Sequence, residues 1–321
     1  MLLCVVPALP KRLRRLEATL RSISRFLGRV TIMDQHQLEN FKTWFDNYTA
    51  GFYGEDDFVN SNLKLKYEHT RRVCREMQFL TDELGLTKNQ KVIAEAIALF
   101  HDIGRFKQFI KYGMYDDAKT VNHSLLGLEV LKEEKVLEDV DKDERELIEK
   151  AIEYHGIKQL PDNLNGDCLL LSKLIRDADK LDIFYVATEY FMKSYKGQKK
   201  FLQALGVPTE PGYSPLLVEA VMQGKQVNYN QLRHMNDMTL LQIAWVYDVN
   251  FPATIERIKH RKFLDTLFGL LPKTEDMRLL KEKIDGYVDS RCASDTKERN
   301  YHANGFTDTY NQSKCKSGQG S

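Results

Sequence analysis

The chain has 321 residues, enough for one large domain or two small ones with a substantial buried core. Its formal net charge is only +1, which argues against a protein that binds nucleic acid through bulk electrostatic attraction. The five cysteines are scattered without a CxxC pair, which argues against a disulfide framework or a thiolate zinc site and predicts a cytoplasmic location. No apolar run is long enough to cross a membrane.

The first 32 residues are expected to be a basic leader that is disordered or foreign to the natural protein. A short apolar run precedes the first basic residues, whereas a secretory signal has the opposite order. A basic amphipathic helix after Pro10 is the alternative. Met33 and Asp34 would make a good start, with Asp34 as a helix N-cap.

The main domain is predicted over residues 33–293, with its core at 61–192, and a disordered tail is predicted over 294–321 because apolar residues become rare there. Apolar residues recur at helical spacing through the main domain, and no strand-like alternation of any length occurs. The fold class is therefore predicted to be all-α. The expected helices are 34–50, 61–84, one ending at His101-Asp102, 123–131, 143–154, 168–192, 216–222, 238–247, 253–271 and 275–288.

Between these helices, Gly104 is expected to end the third one, and a loop is expected from Arg105 to Lys119. The charged run from Lys132 to Arg145 is expected to be a solvated turn. Lys196 to Pro215, rich in glycine and proline, is expected to be a second long loop.

Six histidine and aspartate residues lie on or beside these helices in the order His…His-Asp…His…His…Asp. Drawn from separate helices, such residues form a mixed nitrogen and oxygen donor set. That set suits Mn²⁺, Fe²⁺, Co²⁺, Ni²⁺ or Zn²⁺ and suits Mg²⁺ poorly, because imidazole is abundant. The six residues are His69, His101, Asp102, His123, His155 and Asp179.

With this ordered set, the chain resembles the HD superfamily of metal-dependent phosphohydrolases from about residue 63 to residue 182. The resemblance implies a helical bundle like the HD domain, extended by additional C-terminal helices. It also implies a dinuclear site in which Asp102 bridges two ions. One ion would be held with His69, His101 and Asp179, and the second with His123 and His155. Two such ions can bridge a hydroxide by lowering the pKa of the water it comes from, and they can neutralise the charge of a phosphate.

Two basic residues follow predicted ligands. Arg105 lies three residues past Asp102, and Lys180 directly follows Asp179. In similar proteins a basic residue at such a place meets the substrate phosphate or orients the bridging water. A surface or intrahelical ion pair is the alternative for both. Asp177 and Asp182 are expected to hydrogen-bond the ligand histidines.

The resemblance favours a metal-dependent phosphohydrolase that acts on a small anionic phosphoester, with a nucleotide as the first candidate. The same six ligands also resemble those of mixed-valent di-iron oxygenases such as myo-inositol oxygenase, which is the alternative. A non-catalytic nucleotide sensor is a further alternative. The cyclic-dinucleotide branch is not supported, because Gly156-Ile157-Lys158 stands where its Gly-Tyr-Pro signature would follow His155. The oligomeric state is left open.

Overall fold

The computed structural model describes residues 32–190, 208–225 and 227–303, and every regular element in these ranges is helical. The all-α prediction is therefore confirmed. The α-helices are α1 (Gln35–Ala50), α2 (Asp57–Glu83), α3 (Lys88–Phe100), α4 (Gly104–Tyr112), α5 (His123–Glu133), α6 (Lys142–His155), α7 (Gly166–Tyr185), α8 (Pro215–Met222), α9 (Met235–Ala244), α10 (Pro252–His260), α11 (Phe263–Leu270) and α12 (Glu275–Ala303).

Several of these helices begin where the sequence places a capping residue. The Asp34 side chain accepts the Gln37 amide at 2.9 Å, as predicted. Thr87 forms a capping box with Gln90 at the start of α3. The Asn122 side chain accepts the Leu125 amide at 3.1 Å and so fixes the first turn of α5. Local side-chain hydrogen bonds thus set the first turns of α1, α3 and α5.

The predicted loop from Arg105 to Lys119 is wrong in its first half, because α4 occupies Gly104–Tyr112. Gly104 does not end a helix; it begins one. A Cβ atom there would lie 2.2 Å from the His123 carbonyl oxygen and 2.6 Å from the Gly127 amide nitrogen. Glycine is needed because α4 and α5 touch backbone to backbone, and this contact is invisible in the local sequence.

The helix predicted over residues 253–271 is also wrong, because it is divided into α10 and α11. Lys262 stands between them with φ of 55°, in the left-handed region. Such a conformation is uncommon for a non-glycine residue, and apolar periodicity does not predict it. The predicted helix over 168–192 is α7, extended by a π-helical turn at Val186–Tyr190.

The chain ends differ from the predictions or lie outside the described residues. The final helix, expected to stop at residue 288, continues to Ala303, so the first part of the predicted disordered tail is helical. Few apolar residues there do not exclude a helix, because charged residues such as Lys297 and Glu298 have good helix propensity. The leader up to residue 31 and most of the predicted loop over 196–215 lie outside the described residues.

An aromatic cluster packs the N-terminal helix against the helices that flank the His-Asp pair. The Phe41 ring on α1 lies 5.3 Å from the ring of Phe100, the last residue of α3. The Phe45 ring on α1 lies 6.2 Å from the ring of Phe106 on α4. All four rings are buried, so α1 packs against the residues on both sides of the turn between α3 and α4.

The C-terminal helices are joined to the N-terminal half by buried ion pairs. Glu76 on α2 is 6% exposed and accepts Arg257 Nε at 2.5 Å and Arg261 Nη2 at 2.8 Å. The Arg257 guanidinium also lies 3.8 Å from the centre of the Phe79 ring. Because removing one partner would leave an uncompensated buried charge, these contacts fix α10 against α2.

No helix in the described ranges has the length and apolar content needed to cross a membrane.

The close contact at Gly104 leads to a stability prediction. Gly104→Ala should lower the free energy of unfolding by on the order of 2–3 kcal/mol, because its Cβ would push the α4 and α5 backbones apart. Gly286→Ala on α12 is the matched control, since its Cβ meets nothing within 4 Å. The control should be neutral or stabilising by up to about 1 kcal/mol. Urea unfolding of both variants measures the difference, and equal stability would contradict the close-contact explanation.

Candidate metal centre

The His101-Asp102 pair lies in the short turn between α3 and α4. The His101 amide still donates to Ile97 O at 2.9 Å, so the helical path of α3 continues to His101. The Arg105 amide donates to Asp102 O at 2.9 Å, which starts α4 at once. Both side chains are almost fully buried, His101 at 0% and Asp102 at 3% exposure. The turn therefore presents two polar side chains to the inside of the bundle.

Each oxygen of the Asp102 carboxylate faces a different pair of histidines. Oδ2 lies 3.4 Å from His69 Nε2 and 3.8 Å from His101 Nε2. Oδ1 lies 3.3 Å from His123 Nε2 and 3.8 Å from His155 Nε2. The carboxylate thus stands between two imidazole pairs, the arrangement expected of a ligand that bridges two ions.

The sixth predicted residue, Asp179, belongs to the pair on the Oδ2 side. Its Oδ1 lies 3.2 Å from His69 Nε2 and 3.8 Å from His101 Nε2. Two groups of three donors satisfy a spacing suitable for one ion: His69, His101 and Asp179, and His101, Asp102 and His155. All six residues singled out in the sequence therefore lie together.

All four histidines use Nδ1 for a hydrogen bond and direct Nε2 inward. Nδ1 faces Asp182 Oδ2 at 2.6 Å in His69 and Asp117 Oδ2 at 2.5 Å in His123. In His101 and His155 it faces the Ala98 and Ile152 carbonyls, at 2.8 and 2.6 Å. Since a carboxylate or carbonyl accepts only from N–H, Nε2 of a neutral ring is left with its lone pair. Metal-binding histidines are held in this way.

The inward nitrogens are close enough to require a positive charge between them. His123 Nε2 lies 2.9 Å from His155 Nε2, and His69 Nε2 lies 3.3 Å from His101 Nε2. Two facing lone pairs at such distances repel each other unless a proton or a metal ion lies between them. Imidazole nitrogens are good ligands for divalent transition-metal ions, which would supply that positive charge. The residues present therefore fit transition-metal ions.

The charges in the centre give the histidines different protonation states. Burial lowers the pKa of His101 to about 4 and that of His123 to about 3, so both rings are neutral at pH 7. Burial also opposes the charged form of His69, but Asp102, Asp179 and Asp182 together raise its pKa to about 10. In the metal-free chain a proton on His69 thus supplies part of the positive charge that an ion would bring.

The carboxylates are held ionised by their neighbours. Burial would raise the pKa of Asp102, but Lys66 and His101 hold it well below its usual value. Hydrogen bonding and attraction to His69 likewise lower the pKa of Asp179 against the effect of burial. Both side chains therefore remain anionic and able to bind a cation.

The two basic residues singled out in the sequence each bind another carboxylate. Arg105 Nη1 donates to Asp117 Oδ1 and to the Tyr115 carbonyl, both at 2.7 Å, and its Nε lies 3.4 Å from Asp102 Oδ1. Lys180 Nζ lies 2.8 Å from Asp248 Oδ2. Lys180 is thus engaged away from Asp179, while Arg105 reaches the centre through its Nε. Their proposed contact with substrate stays a prediction.

Of the two aspartates expected to hydrogen-bond the ligand histidines, Asp182 and Asp177, one does so. Asp182 does so, since it accepts from His69 and also pairs with Arg72 Nε at 2.5 Å. Asp177 does not bind a histidine. It accepts the Asn250 and Phe251 amides at 3.0 and 2.9 Å and the Thr254 hydroxyl at 2.8 Å, and so holds the segment before α10 against α7.

Three residues of the centre were missed in the sequence. Lys66 Nζ lies 2.8 Å from Asp102 Oδ2. Its position three residues before His69 on a predicted helix could have indicated this, because residues three apart share a helix face. Asp117, in the loop after α4, carries no local signal for its contact with His123.

Tyr229 is the third, and it comes from a short 3₁₀ turn between α8 and α9. Burial of its hydroxyl raises the Tyr229 pKa to about 12, with Arg105 opposing and Asp179 adding to the shift. The residue as a whole is nevertheless 56% exposed, so solvent reaches it, and its link to Arg105 and Asp179 is electrostatic.

Comparison with known proteins gives one family. The family model described as "HD domain" matches residues 67–183, the segment that contains all six residues of the centre. Neither the curated proteins nor the solved structures include a match to this chain.

The contact between Asp182 and His69 leads to a prediction on metal affinity. Asp182→Asn keeps the side-chain shape but removes the charge that orients the His69 ring, so affinity should fall by on the order of 10- to 100-fold. Asp289→Asn, in an exposed ion pair with Lys259, is the control and should leave affinity unchanged. Competition with a chromogenic chelator measures both. Equal affinity in the two variants would contradict a supporting role for Asp182.

Proposed function

We propose that this protein is a metal-dependent phosphohydrolase that cleaves a small phosphoester, with a nucleotide as the first candidate substrate. The match of residues 67–183 to the HD-domain family model supports the proposal. The observation that carries the proposal is the Asp102 carboxylate, whose two oxygens face two separate histidine pairs. The scattered cysteines support a cytoplasmic location.

In this proposal His69, His101, Asp102 and Asp179 would hold one divalent transition-metal ion, and His123, His155 and Asp102 would hold a second. Mn²⁺, Fe²⁺, Co²⁺, Ni²⁺ and Zn²⁺ all suit these ligands. When bound, a pair of such ions lowers the pKa of a water towards neutrality and neutralises the charge of a phosphoryl group.

The chain's own residues prepare the centre for this chemistry. The Nδ1 hydrogen bonds of the four histidines fix the ring orientations, so little reorganisation is needed when an ion or substrate arrives. The low pKa of Asp102 keeps both of its oxygens unprotonated near neutral pH. Arg105 Nε, which lacks a hydrogen-bond acceptor among the described residues, can donate to a phosphoryl oxygen beside Asp102.

The first experiment is elemental analysis of protein purified without chelators, combined with phosphate release from a generic phosphomonoester and a nucleotide panel. About two metal ions per chain and oxygen-independent phosphate release are expected. His101→Ala and Asp102→Ala should abolish metal binding and phosphate release, because each removes a buried ligand. Both variants should keep the helical circular dichroism of the wild type, because a smaller side chain introduces no steric clash.

The outcomes also distinguish the alternatives. Two irons, oxygen uptake with a polyol or phosphonate and no phosphate release would replace the hydrolase with a di-iron oxygenase. Nucleotide binding without turnover would indicate a sensor. Retained metal stoichiometry in both variants would overturn the metal centre itself.

A further inference from the structure

Lys66 lies beside the centre, and the proposed function gives it no direct contact with the substrate. It is one helical turn before His69 on α2, so both side chains project from the same face of the helix. Its Nζ lies 2.8 Å from Asp102 Oδ2, the oxygen that faces His69 and His101. The Lys66 side chain is 17% exposed, so it is largely covered but still reached by solvent.

The Lys66 ammonium has more N–H donors than it has hydrogen-bond acceptors among the described residues. Among the described residues its hydrogen-bond acceptor is Asp102 Oδ2, and its other neighbour is the Tyr115 ring, 5.3 Å from Nζ to the ring centre. An ammonium group carries three N–H donors, and an aromatic face attracts the charge without accepting a strong hydrogen bond. Lys66 can therefore donate to further oxygens that come to lie beside Asp102.

The other cations near the centre are held by side chains that lie further from it. Arg72 pairs with Asp182, and Lys180 and Arg176 both pair with Asp248. Arg105 is fixed by Asp117 and the Tyr115 carbonyl. Lys66 differs from Arg72, Arg176 and Lys180 because its carboxylate partner is Asp102 itself. Arg105 also reaches Asp102, through Nε at 3.4 Å, but its Nη1 is held by other acceptors. The charge of Lys66 therefore lies beside Asp102.

The position of Tyr115 explains how Lys66 stays in place. The Tyr115 hydroxyl donates to Asn62 O at 2.9 Å, which ties the ring to α2 one turn before Lys66. The Arg105 guanidinium lies 6.0 Å from the centre of the same ring. The ring thus contacts two cations, which meet the two different oxygens of Asp102.

We propose that Lys66 is a substrate-binding residue whose ammonium donates to a non-bridging oxygen of the substrate's phosphoryl group, given the phosphohydrolase function proposed above. The substrate class that follows is a phosphomonoester. A lysine recognises charge more than shape, and a terminal phosphate carries close to two negative charges at neutral pH, whereas a phosphodiester carries one.

The test compares Lys66→Gln and Lys66→Arg with Lys64→Gln. Lys64 is two residues away on the same helix, and its side chain is 67% exposed. Its ion-pair partner among the described residues is Glu68 at 3.7 Å, so it is a matched control. The measurements are kcat and KM for p-nitrophenyl phosphate and bis-p-nitrophenyl phosphate, metal content per chain, and calorimetric binding of inorganic phosphate to the metal-loaded protein.

Lys66→Gln should weaken phosphate binding and raise KM for the monoester by on the order of tenfold, with a smaller change for the diester, because a charged hydrogen bond is lost. Metal content should be unchanged, Lys66→Arg should recover part of the affinity, and Lys64→Gln should match the wild type. A fall in kcat with unchanged phosphate binding would overturn the proposal and show that Lys66 only orients Asp102. Loss of metal in Lys66→Gln would overturn it as well.

Failure of the proposed function gives a different pattern. If the wild type binds phosphate but releases none from any ester, the hydrolase proposal fails. Loss of that binding in Lys66→Gln still supports the contact with Lys66. If the metal-loaded wild type binds no phosphate at all, both proposals are overturned.

Discussion

A single buried carboxylate, Asp102, constrains the geometry of the whole centre. Its two oxygens must reach imidazoles that come from α2, from the end of α3, from the start of α5 and from the end of α6. α4 starts immediately after the His-Asp turn and touches α5 through Gly104, and this contact places His123, at the start of α5, close to Asp102. The dense packing of α1 against this turn then keeps the buried charges from being exposed.

The sequence indicated which histidine and aspartate residues lie together, but not the contacts that the neighbouring basic residues make. The six residues follow from an ordered pattern on periodic helices, and the structure brings them together. The contacts of Arg105 and Lys180 could not be predicted, because their partners are set by tertiary packing: Asp117 lies in a loop, and Asp248 is 68 residues from Lys180. The break at Lys262 was missed for a related reason, since a left-handed lysine leaves no trace in apolar periodicity.

Arginine and lysine serve different purposes around the centre. Arg72, Arg105 and Arg176 each make several hydrogen bonds to fixed acceptors, as a planar guanidinium with five donors allows. Arg176, for example, donates to the carbonyls of His155 and Ile157 and so fixes the chain where α6 ends. The arginines hold the ligand-bearing segments in place.

The contacts between α7 and the residues before α10 have a consequence for the domain boundary. Asp177 and Arg176 lie inside the segment that matches the HD family, but their partners Asn250, Thr254 and Asp248 lie 65 to 71 residues beyond its end. A chain cut at residue 183 would leave a fully buried carboxylate and a buried guanidinium without these partners, a heavy penalty in free energy. The segment that matches the HD family therefore depends on residues beyond its end to pair its own buried charged groups.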